Sequence, residues 1–535
     1  AEAMNRYGHE GFPVVRRGKL VGIVARREID RAMRHKLANA PIKNLMQKPA
    51  AVSPDDSLEK LRAVMTASDL GQVPVVRDQR IIGIVTRTDL IKPWGKPRAT
   101  RAEEMAARLE QWLPPELLAL LRDTSHIARE LGFSLYVVGG FVRDLLLNQP
   151  NLDLDLVVEG DAIALAQALQ KKYGGRVHGH TRFGTAKWML EVKDERGKMK
   201  EEISSLISHL SSLDFSTART EFYAHPSALP EVETSSIKQD LHRRDFTINT
   251  LAICLDPERY GQLLDPFGGE ADLQRGIVRV LHNLSFIEDP TRILRAARFE
   301  QRFGFKIEPR TARLIGDALA MFARVSDERV RHEFNLIFRE GEPEKALARA
   351  RELGALAAIF PSLDFTDWHA RKFAQAREIN ARPSALTYLG LLAYHLPPSR
   401  AAEFFRRLRM TNAEIEPLRQ LLALRAEIEP RLAVESLAPS ALYRLLEEYS
   451  DAALDLFAIA TDDERARARV MTFRTQLRGI APELTGDDLR RMGIPPGPAY
   501  REILARLRDA RLDGEIATRE QEVEIVKQST VNRQP

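Results

Sequence analysis

Two aspartates stand one residue apart in Leu152-Asp153-Leu154-Asp155-Leu156-Val157-Val158. Leucine and aspartate alternate there. A strand sends successive side chains to opposite faces, so both carboxylates share one face, about 6–7 Å apart. Hard oxygen ligands at that reach suit Mg²⁺. A half-exposed strand with a solvated acidic face explains the same pattern, so the pair gains meaning only from its surroundings. About a dozen residues upstream, the apolar run Leu135–Val138 ends in Gly139-Gly140, and Phe141-Val142-Arg143-Asp144-Leu145-Leu146-Leu147 reads as a helix. Two glycines at a strand-to-helix turn let backbone N–H groups approach a phosphate, and the helix N-terminus favours the anion. Arg143 in the first turn adds a fork of donors. Most such turns are only tight connections.

A Gly-Gly turn followed at this spacing by Asp-x-Asp on the next strand resembles the DNA polymerase beta superfamily of nucleotidyltransferases. The resemblance implies phosphates at the turn, two metal ions at Asp153 and Asp155, and a third carboxylate on a neighbouring strand. Asp214 in Leu213-Asp214-Phe215-Ser216-Thr217-Ala218-Arg219 is the candidate, with a turn aspartate at a strand start as the plainer reading. Leu241-His242-Arg243-Arg244-Asp245-Phe246-Thr247-Ile248-Asn249 adds two arginines for a triphosphate and Asp245 for a ribose hydroxyl, with Asn249 beside them. Glu288-Asp289-Pro290-Thr291-Arg292 then opens a helix on which Arg292, Arg295 and Arg298 recur every three residues and form one stripe. Asp289 as a simple N-cap and the arginines as a solvated stripe are the alternatives.

Five such blocks in this order resemble the class II tRNA nucleotidyltransferases: CCA-adding enzymes, their CC-adding and A-adding relatives, and bacterial poly(A) polymerases. The resemblance implies that Gly139, Gly140, Arg143 and Asp144 cradle the triphosphate, that Asp153 and Asp155 hold Mg²⁺, and that Asp245 meets the ribose. Asp289 and Arg292 would read the base edge as a protein template for ATP or CTP. Arg295 and Arg298 would contact the nucleotide or helix ends. The partner would be the 3′ end of tRNA. Poly(A) addition to general RNA is the near alternative, and a non-catalytic adenine-nucleotide sensor the distant one.

The elements around these residues follow from composition and pattern. Among 535 residues, Lys plus Arg is 80 and Asp plus Glu is 75, a net charge of +5 that excludes a polybasic chain but not a local basic groove. Hydrophobic residues at 44% and charged residues at 29% exclude wholesale disorder. The one cysteine, Cys254, excludes an internal disulfide and a cysteine-based zinc site, and fits a reducing cytoplasm. His178 and His180 flank Gly179 and are read as structural. No apolar run reaches eighteen residues, so no membrane helix is expected, and no signal-peptide pattern opens the sequence.

An internal repeat precedes these motifs. Pro13-Val14-Val15-Arg16 returns as Pro74-Val75-Val76-Arg77, and Val21-Gly22-Ile23-Val24 as Ile82-Gly83-Ile84-Val85, always 61 residues later. Each copy reads as strand, polar turn, strand and helix opener, and an amphipathic helix with apolar 58, 61, 64 and 65 precedes the second. This resembles a tandem CBS-domain pair, which implies an adenine nucleotide at Thr86 and Asp89 of the second copy. The first copy carries Ala25 and Glu28 there. Association through the CBS pair is a further expectation. The first copy also looks N-terminally truncated, as in multidomain relatives that carry a DHH-type phosphoesterase domain upstream. The closing segment Leu484–Pro498 looks like the family's own.

The expected architecture is therefore an α/β CBS pair over 1–97, a linker over 98–116, a mixed α/β polymerase-beta-like palm over 117–268, a helical neck over 269–345, and an all-α body and tail over 346–535. Arginine-rich helix faces in the tail, as in 465–478, suit an RNA backbone. The stretch Glu191–Ser212 departs from the family pattern, with apolar residues 203, 206, 207 and 210 spaced as a small helix.

Overall fold

The computed structural model describes residues 11–25, 28–29, 32, 41–68, 72–86, 98–149, 152–190, 212–222 and 231–531. They divide into two compact units, Ala1–Arg292 with Phe303–Asp317, and Ile293–Arg302 with Ala318–Pro535.

In the first unit, β1 (Gly11–Arg16) and β2 (Lys19–Ala25) form one antiparallel hairpin, and β3 (Gln72–Arg77) and β4 (Arg80–Thr86) another. The repeat survives at the level of register. Gly11 pairs Ala25 and Gln72 pairs Thr86, with irregularities at Val14/Val15 and Val75/Val76. Both turns have two positive-φ residues, Arg17 (52°) and Gly18 (78°), and Asp78 (52°) and Gln79 (65°). Such turns match the right-handed twist of the flanking strands. Helix α1 (Leu58–Ser68) lays Leu61 and Met65 against Val52 and Val73, as its apolar spacing requires.

The expected linker is helical instead. Helix α2 (Arg98–Trp112) and α3 (Pro115–Glu130) occupy it. Met105, Leu109 and Leu113 recur every four residues and are all buried, so an apolar stripe is satisfied where charge and proline had pointed to a connector.

The palm is a seven-stranded mixed sheet. Its strands are β5 (Ser134–Val138), β6 (Asp155–Glu159), β7 (Arg176–His180), β8 (Thr185–Met189), β9 (Ser212–Thr217), β12 (Ala252–Cys254) and β13 (Leu263–Leu264), in the spatial order β13-β12-β5-β6-β9-β8-β7. A separate hairpin pairs β10 (Arg219–Phe222) with β11 (Glu231–Thr234). Strand β5 runs antiparallel to β6 and β12, whereas β6 and β9 are parallel. A parallel pair needs a long crossover. Here the crossover includes α5 (Ala162–Tyr173), with α4 (Gly140–Leu146) after β5. Asp161 caps α5 by accepting from the Ile163 and Ala164 amides at 2.8 and 3.1 Å. Tyr136, Val138, Val157, Leu241, Ala252 and Cys254 pack one face of the sheet.

The unit continues through α6 (Ile237–His242), α7 (Gly269–Arg275), α8 (Ser285–Glu288), only the end residues of α9 (Thr291–Phe303), and α10 (Pro309–Ala318) up to Asp317. The region after Gly269 is not purely helical. Ile277–Val278 and Lys306–Ile307 form a short parallel pair, closed by the Lys306 amide on the Gly276 carbonyl.

The second unit is helical among its described residues, as expected for a body and tail. It includes residues 293–302 of α9 and begins its own run with α11 (Asp327–Phe338). Phe338 stacks on Tyr388, and Phe373 packs on both. Capping boxes at Thr366/His369, Thr411/Glu414 and Thr485/Asp488 start three of its helices. Leu484, Leu489, Ile494, Leu507 and Val526 close its C-terminal end. The segment 191–211, with its expected small helix, lies outside the described residues. Among the described residues no helix is long and apolar enough to cross a membrane.

Candidate active site

Strand β5 ends at the glycine turn. Gly139 has φ 70° and ψ −126°, a conformation that only glycine adopts readily. A Cβ there would lie 2.6 Å from Arg244 Nη1 and 3.8 Å from Asp155 Oδ2. The turn therefore closes over both groups; the backbone conformation is what requires glycine, whereas a Cβ would only displace the end of the Arg244 side chain. The Gly139 amide donates to the Leu251 carbonyl at 3.0 Å, so the sheet already uses that donor.

Arg143 lies deeper than a surface fork would. It is buried, its Nε donates to Asp144 Oδ1 at 2.7 Å, and its guanidinium lies over the Phe303 ring. Its Nη1 donates to Asn249 Oδ1 at 2.8 Å, and Asn249 Nδ2 donates to Asp245 Oδ1 at 2.8 Å. The same Asp245 oxygen accepts from the Phe246 amide at 2.8 Å. Four residues singled out for nucleotide binding, Arg143, Asp144, Asn249 and Asp245, are thus one buried chain joining α4 to the segment after α6.

The carboxylates are placed by the sheet. Asp155 opens β6, with Asp153 just ahead of it rather than inside the strand. Both are exposed while Leu154 and Leu156 are buried, so the alternation persists through the strand start. Asp214 is the parallel-register partner of Asp155. Its Oδ2 accepts from Lys187 Nζ at 3.3 Å across the β8–β9 pair. Close protein surroundings raise the Asp155 pKa above the ordinary carboxylate range. Arg244 opposes this, while Asp153, Asp214 and Asp240 add to it. Clustered negative charge of this kind is what a divalent cation relieves. Among the described residues no three His, Cys, Asp or Glu side chains converge tightly enough to hold a metal by themselves. That still fits Mg²⁺, which takes one or two carboxylates and completes its shell with substrate phosphates and water.

Sequence reasoning missed Asp240. It is fully buried on α6 and accepts from Arg243 Nε and Nη2 at 3.0 and 2.8 Å, and from Arg244 Nη2 at 3.2 Å. Burial works to raise its pKa, but Arg244 and Arg243 outweigh this and hold the carboxyl below its usual range. The signal was present: an aspartate three and four residues before two arginines. Ser285 was missed as well. Its hydroxyl accepts from Arg292 Nη1 at 2.5 Å, and the Arg243 carbonyl accepts from Arg292 Nη2 at 3.0 Å, so the Arg292 guanidinium is held at both ends.

Asp289 combines two roles. Its Oδ1 accepts from the Thr291 amide and hydroxyl at 3.0 and 2.6 Å, which caps α9, while Oδ2 faces Arg292 Nε at 4.0 Å. Arg295 and Arg298 fall in the second unit, where they pair with Glu333 and Glu340 at 2.8 and 3.0 Å. The arginines of 465–478 are engaged too. Arg465 and Arg469 donate to backbone carbonyls, and Arg474 pairs with Asp451 and Asp455. Thr86 ends β4, and Asp89 lies outside the described residues. Cys254 is buried, and burial pushes its thiol up to about 12, as suits an inert core residue.

Comparison with known proteins agrees with this geometry. The profile described as "Poly A polymerase head domain" matches residues 135–279, that described as "Probable RNA and SrmB- binding site of polymerase A" matches 304–366, and the CBS domain profile matches 1–35 and 42–93. The chain is 36% identical to an A-adding tRNA nucleotidyltransferase of Geobacter sulfurreducens, over 98% of this chain and 61% of that protein, so it spans under two thirds of that relative's length. It is similar in structure to the Thermotoga maritima CCA-adding enzyme complexed with tRNA_CCA, with a TM-score of 0.63, 31% identity, and coverage of 80% of this chain and 98% of that one. It is 34% identical to an A-adding tRNA nucleotidyltransferase of Halalkalibacterium halodurans over 78% of this chain and 94% of that protein. Identity at that level across nearly a whole relative establishes membership: the chain belongs to the tRNA nucleotidyltransferase family.

Proposed function

We propose that the chain transfers a nucleotide to the 3′ end of tRNA, using ATP, and that it adds the terminal A. The observation that carries the reading is the register pairing of Asp155 with Asp214 beside the Gly139 turn and Arg244. The tRNA 3′-hydroxyl oxygen bonds to the α-phosphorus, the bond to the β-phosphate breaks, and pyrophosphate leaves. Asp153 and Asp155 would hold Mg²⁺, which when bound neutralises charge on the triphosphate and the attacking oxygen. Asp214, open to solvent on the neighbouring strand, is positioned to accept the hydroxyl proton. Arg244, anchored by Asp240, offers its guanidinium to the phosphates at the turn. The network through Arg143, Asn249 and Asp245 keeps the turn and the ribose-facing segment in register. Arg292, fixed by Ser285 and the Arg243 carbonyl, orients the base edge together with Asp289.

The preference for A rests on the A-adding relatives of Geobacter sulfurreducens and Halalkalibacterium halodurans. CTP is the alternative substrate. An adenine nucleotide at Thr86 and Asp89, self-association through the exposed Ile82 and Ile84 of β4, and a cytoplasmic setting complete the reading. The test uses tRNA transcripts that end in CC, lack CA, or lack the whole CCA, each with ATP or CTP. One A added to the transcript ending in CC, and no CTP incorporation into the transcript lacking CCA, is the expected result. Efficient CTP addition to the latter restores full CCA addition, and long A-tails on unstructured RNA favour a poly(A) polymerase.

A further inference from the structure

The two hairpin tips of the CBS pair carry Arg16, Arg17 and Lys19 on one side and Arg77 and Arg80 on the other, with Asp78 as the one carboxylate in either tip. All five cations are exposed. The described ion pairs and side-chain hydrogen bonds include none of them, whereas Arg465, Arg469 and Arg474 of the tail are engaged by carbonyls and carboxylates. The tips are held together, since the Leu20 amide donates to the Gln79 carbonyl at 3.0 Å. Between them opens a groove of about 720 Å³ whose lining includes Arg16, Arg17, Lys19, Leu20, Val21 and Val76, with Arg77 and Arg80 outside that lining on the second tip. It lies at the turn end of the strands, whereas Thr86 ends β4 at the opposite end, so it is separate from the adenine-nucleotide position proposed above.

We propose that this groove and its two tips bind the phosphate backbone of the RNA substrate. The inference rests on the reading of tRNA as substrate. Charge complementarity carries it: five unpaired cations spread over two linked tips match a row of phosphates along a strand. A compact phosphorylated metabolite would instead want donors converging from buried positions. Leu20, Val21 and Val76 in the lining offer apolar contact to ribose and backbone carbon without reading sequence. Backbone contacts of this kind position an RNA and give affinity that falls steeply with salt.

The experiment compares the full chain with a variant carrying Arg16→Gln, Arg17→Gln and Lys19→Gln together. The substituted side chains are exposed, so an unchanged melting temperature is expected and is checked first. Fluorescence anisotropy with labelled tRNA ending in CC, without nucleotide, is recorded over a series of salt concentrations. The variant should bind roughly tenfold more weakly at low salt, and the slope of log Kd against log[salt] should fall by about two to three, since each of three lost phosphate contacts removes roughly 0.7–0.9. In turnover the KM for tRNA should rise while that for ATP stays unchanged. An unchanged Kd and slope overturn the proposal. So does calorimetry in which AMP or pyrophosphate binding is abolished by the substitutions while the tRNA slope stays the same, because the groove is then a small-ligand site. Binding needs no chemistry, so the two readings fail separately: a wild-type protein that binds tRNA with the expected slope but incorporates nothing defeats nucleotidyl transfer and leaves this site standing.

Discussion

Asp155 and Asp214 face each other as register partners on neighbouring parallel strands, although 59 positions separate them in sequence. That pairing turns an Asp-x-Asp pattern into a cluster with Asp153 close by, and the cluster has a cost. Like charges crowd Asp155 with Arg244 as counterweight.

Replacing Asp155 with Asn should abolish nucleotide incorporation, because losing one metal ligand removes stabilisation on the order of several kcal/mol. Asp153→Asn should do the same. Neither should lower the melting temperature, since each removes a charge from a crowded acidic group. Rates with Mg²⁺ and thermal scans check both, and retention of more than a few per cent of activity would end the metal assignment.

Asp240→Ala should destabilise the first unit by about 2–3 kcal/mol, because two half-buried arginines lose a fully buried partner while keeping some access to solvent. Arg243 and Arg244 both depend on it. Denaturant unfolding followed by a probe in the palm measures this, and a loss under about 1 kcal/mol would show that solvent replaces the carboxylate easily.

Asp289 separates capping from base recognition. Asp289→Asn keeps an oxygen for the Thr291 amide but alters the group facing Arg292. Stability should change by under about 1 kcal/mol, whereas discrimination between ATP and CTP should shift by about 1–3 kcal/mol. Equal loss with every nucleotide would leave Asp289 as a helix cap alone.

The second unit should be acid-sensitive through His369. Its ring is buried and its Nδ1 accepts from the Thr366 amide at 3.0 Å. Burial, with His395 nearby, lowers its pKa to about 4 from 6.5. Above pH 6.5 the ring is neutral folded and unfolded, so the shift has no effect on stability. As pH falls from 6.5 towards 4 the unfolded chain takes up a proton that the folded unit does not. Stability then drops, by an amount on the order of 3 kcal/mol once pH is below 4. His369→Gln should flatten that dependence. Parallel curves for the two proteins between pH 7 and 4 would disprove the role.

Several features were legible along the chain because they depend on neighbours within one turn or strand. The period-two alternation of Leu152–Val158 set both aspartates on one face, and the offset of 61 residues foretold two hairpins of equal register. The spacing from Gly139-Gly140 to Asp153 carried the family, and Asp289 could be read as a cap at once. Charge and proline misled over 98–116, where Met105, Leu109 and Leu113 bury a helix face.

What only the tertiary structure decided is which distant groups share a space. Nothing local places Asp214 beside Asp155, or brings Arg143 to Asn249. Nor does any local signal pair Arg295 and Arg298 with Glu333 and Glu340, or fix Arg292 on Ser285. Short-range geometry determines which face a side chain takes. Its partner is chosen by the packing that buries the apolar surface of Tyr136, Val157, Leu241 and Cys254 in one core, and that choice is made over the whole chain at once.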